Sequence, residues 1–190
     1  LADGMIGQMM EPIVWHKRAP KALPPKDWAA LGREGAGNTH FVTSLRLQSS
    51  ANEVFNQQLM GKYQLITAEE VRWETHECDD AEVIIVAYGT TARICQSAAR
   101  KLKQEGIKVG IFRPISLWPY PYEALRELAK QASVKSVLTV EMSLGQMIED
   151  VRLAVCGLKP TPFYGRTGGM IPETEQVSEK VRQLLQEVKS

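Results

Sequence analysis

One apolar run constrains the fold of this chain more than any other feature of its sequence. The residues from Glu82 to Tyr88 are almost all apolar, and they include β-branched side chains without any alternation of apolar and polar positions. Such a run is typical of a strand that is covered on both faces. A turn at Gly89 follows, and the next residues, through about Glu105, carry small apolar side chains at helical spacing. Strand, turn and helix in this order predict a βα unit.

The same order of strand and helix recurs along the rest of the chain. Further strands are predicted over Ile107–Arg113, Val134–Glu141 and, as a short segment, Pro162–Arg166, and further helices over Tyr122–Ala132, Gln146–Val155 and Glu173–Val188. Successive βα units build a parallel sheet, because each helical crossover returns the chain to the same end of the sheet. We therefore predict an α/β domain over residues 81–190, with a mainly parallel sheet and helices on both faces.

Different kinds of segment precede this domain. Residues 1–15 combine a turn at Asp3 and Gly4 with a short Met-rich helix, which we interpret as the remnant of an upstream domain of a longer polypeptide. Residues 16–80 are interpreted as a linker rich in proline and glycine, followed by one long helix over residues 50–76. Apolar residues from Phe55 to Trp73 form a single stripe on this helix, which fits docking onto a neighbour as well as packing within the chain.

Charge and composition exclude several classes of function. The net charge is +1, without the clustered basic excess that nucleic-acid binding requires. None of the 3 cysteines lies in a C-x-x-C pair, so the chain carries no iron–sulfur or zinc signature, and such thiols fit a reducing, cytoplasmic location. No apolar run approaches the ~18 residues of a membrane span. The 3 histidines lie far apart and none pairs with a recognisable nucleophile, so the chain has no self-sufficient catalytic set.

Six residues are candidates for a binding site, because ligands of open α/β sheets bind outside the carboxyl ends of the strands. They are Thr90, Thr91 and Arg93 after the first strand, Arg113 at the end of the second, and Glu141 and Gln146 after the third. They are candidates for contacts with a substrate, coenzyme A or another subunit. Each candidate also has a structural alternative. One of the threonines could cap the helix, and Arg93 could form a surface salt bridge. Arg113 could pair with Glu141, and Gln146 could cap the helix that it begins.

A rigid aromatic loop follows the second predicted strand. Trp118, Tyr120 and Tyr122 alternate there with prolines. Aromatic residues are enriched in the cores of protein interfaces, so we predict that these three residues contact another subunit. The alternative, that the loop folds back onto the core of its own domain, fits the same residues.

Four segments of the chain resemble one enzyme family. Residues 1–12 (LADGMIGQMMEP) are similar to the close of the pyrimidine-binding domain in the α subunits of 2-oxoacid:ferredoxin oxidoreductases. Residues 86–93 (VAYGTTAR), 112–119 (FRPISLWP) and 140–146 (VEMSLGQ) are similar to the second domain of those subunits, a relative of the transketolase C-terminal domain. Among the branches of the family, the chain looks most like the one that acts on 2-oxoisovalerate (3-methyl-2-oxobutanoate).

The resemblance implies a reaction that this chain does not carry out alone. In the complete enzyme, a 2-oxoacid, coenzyme A and oxidised ferredoxin give acyl-CoA, carbon dioxide and reduced ferredoxin. Thiamine diphosphate supplies the carbanion chemistry, and iron–sulfur clusters remove the electrons. The family's diphosphate and Mg²⁺ motif, a G-D-G followed by paired asparagines, is absent from this chain.

Partner subunits are therefore expected to hold these groups. They are a thiamine-diphosphate-binding β subunit, a γ subunit and a ferredoxin-like δ subunit, and we expect the chain to dock onto them or to form a dimer. The carboxylate that activates the thiamine ring is expected upstream of Leu1, so the chain by itself should be inactive and bind no cofactor. The alternatives are the C-terminal domain of a 2-oxoacid dehydrogenase E1β or of a transketolase, and a nonenzymatic docking module.

Overall fold

The structure, a computed structural model, describes residues 4–8, 10, 14–15, 17, 19–20, 22–26, 28–29 and 43–187. These residues fall into two compact units, one formed by residues from Tyr63 onward with the short first helix, and one formed by residues from Met10 to Lys62. The predicted turn at Asp3 lies outside the described residues. So do two of the three histidines, His16 and His40, and the predicted end of the last helix at Val188.

The described part of the chain contains six helices and five strands. Their bounds are α1 Gly4–Gln8, α2 Ser49–Glu69, β1 Trp73–His76, β2 Val83–Val86, α3 Gly89–Gln104, β3 Val109–Pro114, α4 Tyr122–Lys130, β4 Ser136–Glu141, α5 Met147–Val155, β5 Phe163–Gly165 and α6 Thr174–Glu187. The strands form one sheet in the order β1-β3-β2-β4-β5. All neighbouring pairs are parallel except β1 with β3. From β2 onward, each predicted strand and helix is present.

The strand β1 corrects one prediction from the sequence. A single helix was predicted over residues 50–76, but α2 ends at Glu69 and the chain then pairs antiparallel with β3. Trp73 lies opposite Pro114, and Glu74 lies opposite Arg113. The prediction was wrong because the helical spacing that reaches Trp73 is local, whereas the outer edge of β3 offers backbone hydrogen bonds that only the tertiary structure provides.

Both faces of the sheet are covered, as the continuous apolar run predicts. Along β2 the side chains alternate between two cores: Val83 and Ile85 pack with α3 and α6, whereas Ile84 and Val86 pack with α4 and α5. All four residues of β2 are fully buried. The fold class is therefore confirmed: a mostly parallel α/β sheet with helices on both faces.

Close packing at the edge of the sheet gives a test of this fold. A Cβ atom at Gly110 in β3 would lie 2.8 Å from the Cys78 Sγ atom and 2.9 Å from the Ile84 Cδ1 atom. We expect Gly110→Ala to lower the free energy of unfolding by about 1–3 kcal/mol, because the added Cβ atom would also lie 2.9 Å from the backbone Cα atom of Cys78, which cannot rotate away as a side chain can. Urea denaturation followed by circular dichroism measures the change. The control Gly61→Ala, whose added Cβ atom would have no neighbour within 4 Å, should cause no loss; equal losses in both variants would contradict the close contact.

Candidate functional site at the carboxyl edge of the sheet

The parallel strands bring the candidate residues to one edge of the sheet. The carboxyl ends of β2, β3 and β4 lie side by side there, because the strands are neighbours with parallel register. A groove of about 520 Å³ opens at the ends of β2 and β3. Its lining residues are Tyr88, Gly89, Arg113, Pro114, Ile115, Ser116, Leu117 and Trp118.

The start of α3 forms one side of this groove. Gly89 has a positive φ of 59°, a conformation that favours glycine. The helix begins at Gly89, and Tyr88 holds the N-cap position. Thr90 and Thr91 therefore lie inside the first turn, where both are buried, and the Thr91 hydroxyl donates a hydrogen bond back to the Tyr88 carbonyl at 2.6 Å. The alternative that a threonine holds the N-cap position is wrong, because the glycine lets the helix start before either of them.

The two arginine candidates occupy different surroundings. Arg113, near the end of β3, donates a hydrogen bond from Nη1 to the Glu74 Oε1 atom at 2.7 Å across the β1–β3 pair. This guanidinium, and to a lesser extent His76, holds the pKa of Glu74 below its usual value. Arg93 lies half-buried one turn into α3. The proposed pair between Arg113 and Glu141 is therefore not formed, since each has its own partners.

Glu141 has a structural role that no motif in the sequence indicated. Its carboxylate, 1% exposed, accepts hydrogen bonds from the backbone N–H groups of Met147 and Ile148, both at 3.0 Å. It also accepts hydrogen bonds from the Gln146 N–H and from the Ser143 hydroxyl. A buried carboxylate is stable when several donors surround it, and the positive end of a helix adds to this stabilisation. Glu141 therefore caps α5 from the end of the neighbouring strand.

This finding corrects the expectation for Gln146. Its backbone holds the N-cap position of α5, but its side chain is exposed and makes no capping hydrogen bond. The capping group comes from Glu141, five residues earlier, because the loop after β4 folds back over the strand end. The available signal was a lone acidic residue at the end of an apolar strand, since a buried charge requires partners.

The topology points to a second position at this edge, between β2 and β4. The helix after β2 and the helix after β4 pack on opposite faces of the sheet, which places the switch point of the topology between these two strands. The Glu141 carboxylate takes the N–H groups of the first turn of α5 at that point. The N–H groups at the start of α5 therefore have an acceptor within the chain. The groove on the other side of β2 is the better candidate for contact with a ligand or another subunit.

The aromatic loop after β3 divides between surface and core. Trp118 is 61% exposed and contacts the Tyr63 ring edge-on, with ring centroids 5.4 Å apart. Tyr120 is buried among the residues that pack against α4 and α5. Tyr122 is half-buried, and its hydroxyl donates a hydrogen bond to Asp150. Burial, with this hydrogen bond, raises the pKa of Tyr122 to about 12. The loop thus folds onto its own core at Tyr120 and leaves Trp118 as its exposed aromatic ring.

The described residues do not build a metal centre. No three histidine, cysteine, aspartate or glutamate side chains come together among them as a metal site would require. Burial raises the pKa of the Cys78 thiol to about 11, so this cysteine is not ionised at neutral pH.

None of the helices in the described part of the chain is long and apolar enough to cross a membrane.

Comparison with known families decides what kind of domain this is. The profile of pyruvate:ferredoxin oxidoreductase core domain II matches residues 81–177. The chain belongs to this family. The matched residues run from the start of the apolar strand to the first turn of α6, so they include the groove and the Glu141 cap.

Sequence similarity to relatives of this core domain II chain also covers residues outside 81–177. The ketoisovalerate oxidoreductase subunit VorB of Methanothermobacter marburgensis is 40% identical over 185 residues, which are 97% of this chain and 51% of the relative. The chain thus spans about half the length of that relative.

Solved structures support the fold. The 2-oxoglutarate:ferredoxin oxidoreductase of Magnetococcus marinus, with 2-oxoglutarate, coenzyme A and succinyl-CoA bound, matches with a TM-score of 0.59 and 20% identity, over 74% of this chain and 24% of that one. A split-gene transketolase, described as an inactive β4 tetramer, matches with a TM-score of 0.52 and 23% identity, over 60% and 41% of the two chains. Both share the α/β fold of this chain, and the predicted resemblance to a transketolase is confirmed at the level of the fold.

The cap on α5 generates a prediction. We expect Glu141→Gln to lower the free energy of unfolding by about 2 kcal/mol or more, because an amide satisfies fewer of the N–H groups that surround the carboxylate. The control Glu149→Gln changes an exposed glutamate on the first turn of the same helix and should stay within about 0.5 kcal/mol of the wild type. Chemical denaturation monitored by tryptophan fluorescence measures both variants. Similar stability of the two would show that the Glu141 cap contributes little.

Proposed function

We propose that this chain is part of the α subunit of a thiamine-diphosphate-dependent 2-oxoacid:ferredoxin oxidoreductase whose substrate is 2-oxoisovalerate. The observation that carries the proposal is the 40% identity to a ketoisovalerate oxidoreductase subunit, which extends over 97% of the chain. This likeness includes residues before Ala81, outside the match to core domain II. The substrate is thus inferred from the whole alignment and not from the domain family alone.

The proposed reaction divides its chemistry between subunits. Thiamine diphosphate in the complete enzyme stabilises the carbanion left by decarboxylation, and iron–sulfur clusters pass the electrons to ferredoxin. We propose that the other subunits hold thiamine diphosphate, Mg²⁺ and the clusters, because this chain lacks the G-D-G motif with paired asparagines and has no C-x-x-C pair. Within the described residues, the start of α5 is already capped by Glu141.

The contribution of this chain is assembly and support. Large apolar side chains stand exposed at the carboxyl edge, among them Trp118, Ile115 and Leu144, with 61%, 51% and 81% of their surfaces accessible. Trp118 and Ile115 line the same groove, and a contiguous exposed apolar patch indicates an interaction site. The proposed partners are the thiamine-diphosphate-binding β subunit, the γ subunit and the ferredoxin-like δ subunit of a cytoplasmic complex, with a second copy of the chain as the alternative.

The activity of the complete complex tests this function. The complex that contains this chain should reduce ferredoxin with 2-oxoisovalerate and coenzyme A, at a higher kcat/KM than with pyruvate or 2-oxoglutarate. The isolated chain should show no thiamine diphosphate binding by calorimetry, with the complete complex as the positive control. A preference for 2-oxoglutarate would refute the substrate, and micromolar thiamine diphosphate binding by the chain alone would refute the division of labour. Copurification with a lipoyl acyltransferase would favour a 2-oxoacid dehydrogenase instead.

Assembly through the aromatic loop gives a second test. We expect Trp118→Ala to weaken association with the other subunits by about 30-fold, because a buried interface tryptophan commonly contributes ~2 kcal/mol or more. The stability of the chain itself should change little, since the ring is mostly exposed. Leu153→Ala, an exposed apolar position on α5, is the matched control. Light scattering after size-exclusion chromatography measures assembly, and equal assembly of both variants would contradict the proposed contact.

A further inference from the structure

We propose that the groove at the ends of β2 and β3 binds a carboxylate side chain of a partner subunit, and that the guanidinium of Arg113 holds this carboxylate. The inference rests on the proposed function for the identity of the partner. It goes beyond that function in naming the residue and the chemistry of the contact.

The guanidinium of Arg113 has N–H groups that Glu74 does not use. Within the part of the chain that the structure describes, its one polar partner is Glu74, reached from Nη1 at 2.7 Å. An arginine carries five N–H groups in a planar fork, so most of the fork is left for a second acceptor. The side chain is 40% exposed and lines the groove. A second carboxylate therefore has both access to the fork and bidentate geometry.

The charge of Glu74 does not cancel this attraction. Its carboxylate is shared, because the His76 Nε2 atom lies 3.3 Å from the same Oε1 atom that Arg113 contacts. An arginine that bridges an internal and an external carboxylate keeps a favourable interaction with both, since the two acids approach different edges of the fork. The internal pair orients the guanidinium before the partner arrives, which lowers the entropic cost of binding.

The walls of the groove indicate that the acid belongs to a protein. Ile115 and Trp118, which line it, are 51% and 61% exposed. Tyr63, in ring contact with Trp118, is 41% exposed. An aromatic side chain can bury ~150–250 Å² in all, and the exposed parts of Trp118 and Ile115 together offer an apolar surface suited to a protein segment. We commit to a partner segment that presents an aspartate or glutamate beside apolar side chains.

Two variants separate this contact from a purely internal role of the ion pair. Both Arg113→Met and Glu74→Gln break the pair between β1 and β3, but only the first removes the guanidinium. We expect Arg113→Met to weaken association with the other subunits of the oxidoreductase about tenfold or more, and to flatten the dependence of that association on ionic strength. Glu74→Gln should assemble as tightly as the wild type or more tightly, because the guanidinium loses its competing acid.

The measurement is the dissociation constant of the full chain for the remaining subunits, by sedimentation velocity between about 50 and 500 mM salt. Arg100→Met, an exposed arginine on α3 with bonds to its own helix, is the control and should match the wild type. Equal weakening by Arg113→Met and Glu74→Gln would overturn the inference, since it would assign the arginine to the internal pair. An unchanged constant for Arg113→Met would also overturn it. A wild-type chain that fails to associate with oxidoreductase subunits would instead refute the proposed function.

Discussion

The burial of the central strand β2 is the constraint on which the rest of this domain depends. Its four residues, from Val83 to Val86, are fully buried and pair on one side with β3 and on the other with β4. Burying an aliphatic side chain of this kind contributes about 1.5–3 kcal/mol, and here such burial occurs on both faces of one strand. Because each face needs a cover, the helices must divide into two layers, α3 with α6 and α4 with α5.

The same division of the helices shapes the carboxyl edge. The helices after β2 and β4 leave the sheet toward opposite faces, which opens the edge between these strands. In many α/β domains such an edge receives an anionic ligand at a helix start. In this chain the Glu141 carboxylate takes that position and satisfies the N–H groups of α5. An internal acid thus occupies the position that a ligand takes in those domains.

The proposed supporting role depends on the surfaces of this domain. The match to core domain II and the identity to a ketoisovalerate oxidoreductase subunit relate this chain to enzymes built from several subunits. The exposed Trp118 lines the groove at the carboxyl ends of β2 and β3. The sheet holds the strand ends in place, and the groove is built from the loops that follow them.

The sequence by itself determined the fold class and the elements from β2 onward, because continuous apolar runs and helical spacing are local patterns with a direct physical cause. It also placed Arg113 and Glu141 at strand ends, where the structure has them. Only the tertiary structure decided that residues 73–76 form a strand, because the backbone partner on β3 lies about forty residues away in the chain. Only the tertiary structure showed that Arg113 pairs with Glu74 and that Glu141 caps the start of α5. These partners are set by the register of neighbouring strands and the path of a loop, which the spacing of residues along one segment does not encode.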